Sequence, residues 1–217
     1  MRRPTSAAIH PKTPGGASAH ALRLIIATAA VLLACPSFAA QPGRASAFHA
    51  EDISQRRLGQ TLSLQDAEGK TRTLQEFRGK VVLLYFGFTH CADVCPTELA
   101  RLADLMRRLG PAGNAVQVLF VTLDPQRDTP AILRDYAPAF DSSFIALSGT
   151  PQAIAAAAHE FRVAYQKIPG SAPDRYTIDH STYVYALDPA SRLRLRFAPE
   201  QSIEQLLDDV KALLAGR

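Results

Sequence analysis

Cysteine is scarce in this chain: Cys35, Cys91 and Cys95 are the only three among 217 residues. So few give little support to a structural disulfide framework. Acidic residues are missing altogether from the first 39 positions, which hold Arg2, Arg3, Lys12 and Arg23. That absence accounts for the formal charge of +4, because the remainder carries 20 basic and 20 acidic residues. A neutral body offers no compositional footprint for nucleic acid. Internal repeats, low-complexity segments after the leader and heptad patterns are also lacking, so nothing in the pattern asks for more than a monomer. What remains is long enough for one domain, or at most two small ones, with a sizeable core.

The start of the chain reads as an export signal. A basic opening is followed by the apolar run Leu24 to Cys35, too short for a standard transmembrane helix, and then by Pro36-Ser37-Phe38-Ala39-Ala40. Small residues at Ser37 and Ala39 suit cleavage after Ala39. Leu32-Leu33-Ala34-Cys35 also has the form of a bacterial lipoprotein box, in which Cys35 would be lipidated, and an uncleaved anchor is the third option. Each alternative predicts an exported protein on the periplasmic side of a bacterial inner membrane, anchored or soluble. The expected organisation is a leader over 1–39, a linker over 40–57 and one folded domain over 58–217.

The chemistry concentrates in Gly87-Phe88-Thr89-His90-Cys91-Ala92-Asp93-Val94-Cys95-Pro96. Just before it, Val81 to Phe86 is an apolar, β-branched and aromatic run that predicts a buried strand. Just after, apolar residues at 99, 102, 103, 105 and 106 predict a helix, with Pro96 in its first turn. The cysteines therefore fall between strand end and helix start, where free amides and the helix dipole favour thiolates. Both sulfurs are expected to be reactive. Three intervening residues put them about one turn apart, close enough for a disulfide or for one soft metal ion, and the spacing alone does not choose.

Taken in order, Thr61 to Gln65 and Thr71 to Leu74 alternate around the turn residues Asp66 to Gly69 and predict an N-terminal hairpin. Val116 to Leu123 predicts a second buried strand. Thr129 and Pro130 open a helix to Tyr136, and Phe144 to Leu147 is a short strand. Ser148-Gly149-Thr150-Pro151 caps another helix to about Phe161. Ile168 to Thr177, with two prolines and a glycine, predicts a surface loop. Thr182 to Leu187 and Leu193 to Phe197 predict a hairpin, and a last helix runs from the N-cap Ser202, with Gln205 three positions on, to Leu214. Strands alternating with helices predict an α/β fold around a partly parallel sheet.

The motif resembles the signature of the SCO/SenC proteins, copper chaperones of cytochrome c oxidase assembly. Three further stretches resemble the family in the same order: Val121 to Pro130, Phe144 to Gly149 and Tyr176 to Thr182. The resemblance spans roughly Leu58 to Lys211. It implies a thioredoxin-like fold, a central mixed sheet flanked by helices, with an added N-terminal hairpin and a loop insertion before the C-terminal hairpin. It also implies copper ligands at Cys91, Cys95 and His180 and one ion, Cu(I) or Cu(II), per domain. Two thiolates with an imidazole suit that metal. The implied partners are subunit II of the oxidase, at its CuA site, and an upstream copper donor or thiol reductant. Position 92 departs from the family, with Ala where Pro is common, a change expected to loosen the site or to shift its redox potential without removing a ligand.

The neighbouring polar residues carry lesser roles. His90 is expected to point away from the site, Asp93 to cap the helix and Asp179 to be solvated, and His159 has no assigned function. Asp124, at a strand end, is a partner contact by resemblance or a turn-stabilising aspartate. The alternative to copper delivery is a thiol-disulfide oxidoreductase in which Cys91 attacks a partner disulfide, Cys95 resolves the product and His180 is not needed.

Overall fold

The computed structural model describes residues 48–172 and 175–217. The leader, Cys35 and the cleavage site lie outside the described residues. Among those described, no helix is long and apolar enough to cross a membrane.

Two strands dominate the centre because every residue in them is apolar or tolerates burial. These are β4 (Val81–Gly87) and β5 (Val116–Thr122), buried along their whole length and paired in parallel from Val81 opposite Val116 to Gly87 opposite Thr122. Around them run β1 (Glu51–Asp52), β2 (Ser63–Asp66), β3 (Thr71–Thr73), β6 (Ile145–Ser148), β9 (Val184–Leu187) and β10 (Leu193–Phe197). The eight strands form one sheet in the order β1-β10-β9-β4-β5-β6-β2-β3. It is mixed: β4, β5 and β6 are parallel, and the flanking pairs are antiparallel. The expected α/β fold with a central mixed sheet and an N-terminal hairpin is the fold observed.

The helices are α1 (Val94–Leu109), α2 (Pro130–Tyr136), α3 (Pro151–Glu160) and α4 (Ile203–Leu214). Their starts follow the capping signals of the sequence. Thr129, Thr150 and Ser202 each accept a hydrogen bond from the backbone amide three residues on, and Gln205 closes a capping box with Ser202. α1 buries Leu99, Leu102, Leu105 and Leu109, spaced for one helical face. Alternate residues of β4 serve the two faces of the sheet. Phe86 meets Phe161 and sits edge-on to Tyr185, whereas Tyr85 lies beside Phe120 on the face of Cys95. Each such fully buried ring contributes about 1.5–3 kcal/mol by leaving water.

Two expectations need correction. Phe48 to Ile53, expected as part of the linker, belong to the folded domain: Phe48, Ala50 and Ile53 are buried, and β1 pairs with β10. The carboxylate of Asp209 on α4 accepts the His49 and Ala50 amides at 2.9 and 2.7 Å. Three apolar residues scattered among polar ones made too weak a pattern to read. The loop expected over Ile168 to Thr177 is instead an antiparallel arm, β7 (Tyr165–Ala172) with β8 (Arg175–His180), which forms its own two-stranded sheet. Its proline and glycine sit where the pairing shifts register, so turn-forming residues mark an irregularity within the ribbon rather than its absence.

Candidate metal centre

The site forms where β4 stops. Gly87 is the last residue of the strand, and its carbonyl accepts the Leu123 amide at 2.7 Å, holding the strand end against the residue that follows β5. The chain turns through Phe88 to Cys91, whose amide bonds the Phe88 carbonyl, and α1 begins at Val94. Pro96, third in the helix, lacks a donor where the helix has no acceptor for it.

This turn is drawn inward by Asp128, which is 1% exposed. Its carboxylate accepts the Thr89 amide, the Thr89 hydroxyl at 2.6 Å and the Thr122 hydroxyl at 2.5 Å. His90 is thereby placed outside the cluster, with its ring toward Thr89 and Asp128. Asp93 occupies the N-cap position of α1 without a side-chain bond to the helix amides, and instead accepts the Thr97 hydroxyl.

Cys91 is half-buried and Cys95 is fully buried in the first turn of α1. Both thiols are free, and the Cys95 amide donates to the Cys91 sulfur at 3.3 Å. The helix start thus delivers its amide to Cys91, as the placement of the motif predicts. Cys95 is different. Burial pushes its thiol up to about 12, and the neighbouring Cys91 acts in the same direction. The expectation of two activated sulfurs therefore fails at Cys95 in the metal-free chain, because desolvation exceeds the helix field.

His180 closes the group from a distant part of the sequence. It ends β8 rather than opening a hairpin after a loop, and it arrives beside Cys95 with Nε2 3.5 Å from that sulfur. Its Nδ1 lies 2.9 Å from the Ser181 carbonyl, which can only accept, so Nδ1 carries the proton and Nε2 offers its lone pair. Burial holds the imidazole below its ordinary pKa, which keeps it neutral at pH 7. Tyr85 and Phe88 meet the ring edge-on at 6.3 and 5.9 Å between centroids. An open groove of about 520 Å³, lined by Tyr165, Asp179, Ser181 and Tyr183 among others, leaves His180 approachable.

The donor atoms of Cys91, Cys95 and His180 all lie within 4.8 Å of one another. Metal bonds of about 2.3 Å to sulfur and about 2.0 Å to nitrogen allow donors about 4.6 Å apart at most, so one ion fits with small adjustments. Two soft sulfurs and one imidazole favour copper over hard cations.

Asp124 is 2% exposed, and each of its carboxylate oxygens is hydrogen-bonded. Its carboxylate accepts Arg127 Nε at 2.5 Å and the Tyr176 hydroxyl at 2.7 Å. Arg127 also donates to the Tyr176 carbonyl and stacks on the Tyr176 ring at 3.6 Å. Lys167 lies over the same ring and donates to Gln126. These contacts bind the arm to the end of β5 four residues before His180. The sequence had singled out Asp124 but not Tyr176, Asp128 or Tyr85. A second aspartate four positions beyond Asp124 was the available signal for Asp128.

The comparisons agree with this geometry. The SCO1/SenC family model matches residues 50–215. A bovine protein, "Protein SCO2 homolog, mitochondrial", is 39% identical over 169 residues, 76% of this chain and 64% of its own length. The chain thus spans less than two thirds of that relative. The structure of Bradyrhizobium japonicum ScoI with copper bound superposes with a TM-score of 0.67 at 36% identity, covering 72% of this chain and 99% of that one. The apo Sco1 protein of Thermus thermophilus gives 0.70 at 38% identity, with coverages of 77% and 97%.

Proposed function

The chain belongs to the SCO1/SenC family, and on that premise we propose that it binds one copper ion through Cys91, Cys95 and His180 and hands it on during assembly of cytochrome c oxidase. The observation that carries this reading is the convergence of His180 on the two cysteines across 85 positions of sequence, with its lone pair directed at the Cys95 sulfur. A cysteine pair used only for disulfide exchange has no need of that imidazole.

The copper is cargo. Three ligands leave the ion short of a full shell, and the half-exposed Cys91 together with the open groove beside His180 gives a partner's thiolate a way in. The acceptor implied by the family is the CuA site of subunit II, either as recipient of copper or as a pair of thiols kept reduced. Export to the periplasmic side, by cleavage after Ala39, by lipidation at Cys35 or through an uncleaved anchor, is part of the same reading and rests on the leader alone. Asp124 belongs to it as the residue that fixes the arm; partner contact at this corner would run through the side chains around it.

A Cu(I) competition titration of the reduced protein against a chromophoric chelator tests the assignment. One-to-one binding that weakens at least about tenfold in Cys91→Ala, Cys95→Ala and His180→Ala is expected, since even residues that only support metal ligands cost 10–100-fold. Unchanged binding in His180→Ala would leave the cysteines as a redox couple instead.

A further inference from the structure

Tyr85 lies in the middle of β4 with 0% of its surface exposed, and its hydroxyl has no hydrogen-bond partner among the described residues. A buried hydroxyl left unpaired costs about 1–3 kcal/mol, so this one lacks a partner that the metal-free protein does not supply. Its surroundings point to one. A Cβ built on Gly87, two residues along the same face of β4, would stand 2.9 Å from Cys95 Sγ and 3.3 Å from Tyr85 Cε1. The tyrosine ring and the sulfur thus border the same small space. The ring also meets His180 edge-on, so it lines two of the three donors. A phenol is protonated at neutral pH, so the hydroxyl is able to donate.

We propose that the Tyr85 hydroxyl donates a hydrogen bond to the Cys95 sulfur when that sulfur is a copper-bound thiolate, and that Tyr85 is thereby a positioning residue that favours Cu(I) over Cu(II). This rests on the copper reading above. A neutral thiol is a weak acceptor, whereas a thiolate in a water-free pocket is a strong one, so the bond forms on loading. A hydrogen bond to the sulfur withdraws electron density that would otherwise stabilise the more oxidised ion, and bonding around a cysteine sulfur is an established control on copper potentials.

Tyr85→Phe removes only the oxygen and keeps the ring, so the metal-free protein should fold with unchanged or higher stability. Tyr136→Phe is the control: it deletes another unpaired buried hydroxyl, on a ring that packs against Phe120 and Phe140. All three proteins are loaded with Cu(I) and with Cu(II). In Tyr85→Phe the sulfur-to-Cu(II) charge-transfer band should move to longer wavelength and Cu(I) should bind about tenfold more weakly. With Cu(II) affinity held, that tenfold change corresponds to a Cu(II)/Cu(I) potential lower by about 59 mV. Tyr136→Phe should match wild type. A Tyr85→Phe protein with wild-type band and potential overturns the proposal, as does an equal shift in both variants, which would reflect pocket polarity alone. If wild type itself takes no copper, the copper reading fails and this inference with it.

Discussion

Tyr176 on the arm donates its hydroxyl to the buried carboxylate of Asp124 at 2.7 Å, joining residues 52 positions apart. Through that bond the arm that carries His180 is fastened to the corner that follows the central parallel strands. The imidazole is therefore held by a side-chain clamp as well as by its own backbone.

Loosening the clamp should loosen the site. Tyr176→Phe is expected to cost about 1–2 kcal/mol in denaturant unfolding and to weaken Cu(I) about tenfold, although Tyr176 offers the metal nothing. Affinity equal to wild type would mean that the arm places His180 unaided.

The two sulfurs should differ in reactivity. Cys91 is half-exposed, whereas Cys95 is fully buried with its thiol pushed up to about 12 by burial. Brief alkylation of the reduced, metal-free protein near pH 8 should give one adduct, located at Cys91 by peptide mass mapping, and two adducts after unfolding. Equal labelling of both in the native protein would contradict the burial of Cys95.

Gly87 is required for its lack of a side chain. A Cβ there would come within 2.9 Å of both Cys95 Sγ and Phe120 Cε2, closer than atoms in a packed interior approach. Gly87→Ala should cost about 1–3 kcal/mol through overpacking. It should also push Cys95 off its line to His180, seen as weaker copper binding on top of a lower melting temperature.

Stability should fall in acid. Burial pushes the Asp66 carboxyl up, but hydrogen bonds from Arg72 and from the Lys70 and Glu68 amides outweigh it and hold the group below 3.8. Asp188 is held down in the same way by Arg192 and by the Arg192 and Ala190 amides. A depressed carboxylate contributes its full stability above the unfolded pKa and loses it as pH falls through the folded one. The melting temperature should accordingly hold steady down to about pH 5 and decline below about pH 4. Asp66→Asn should lower stability at pH 7 by about 1–3 kcal/mol and flatten part of that decline, and an unaltered pH profile in this variant would remove Asp66 from the account.

The parts of this fold legible in the sequence are those written locally. β4 and β5 announce themselves by unbroken apolar runs, α2, α3 and α4 by hydroxyl caps, and Cys91 and Cys95 by their place between a strand and a helix. Contacts closed over long distances were not legible. No pattern around His49 and Ala50 reveals that their amides meet Asp209, and none around Tyr176 reveals Asp124. His180 could be named only because Tyr176 to Thr182 resembles a known family segment. The arm was misread because its prolines and glycine outweighed a weak alternation, and the thiol of Cys95 because a sequence shows the helix dipole but not the depth of burial that opposes it.

The outermost strands of the eight-stranded sheet, β1 and β3, are two and three residues long. A short rim offers few unpaired amides and carbonyls to a passing chain, so the long apolar strands at the centre have no exposed edge on which a second molecule could extend them. The arm has longer free edges, but it carries Pro169, which has no amide to give, and the charged Lys167. A protein with two of its most apolar segments at positions 81–87 and 116–122 is thereby protected against stacking on its own copies, and its folded state is kept apart from aggregation by the lengths of its edges.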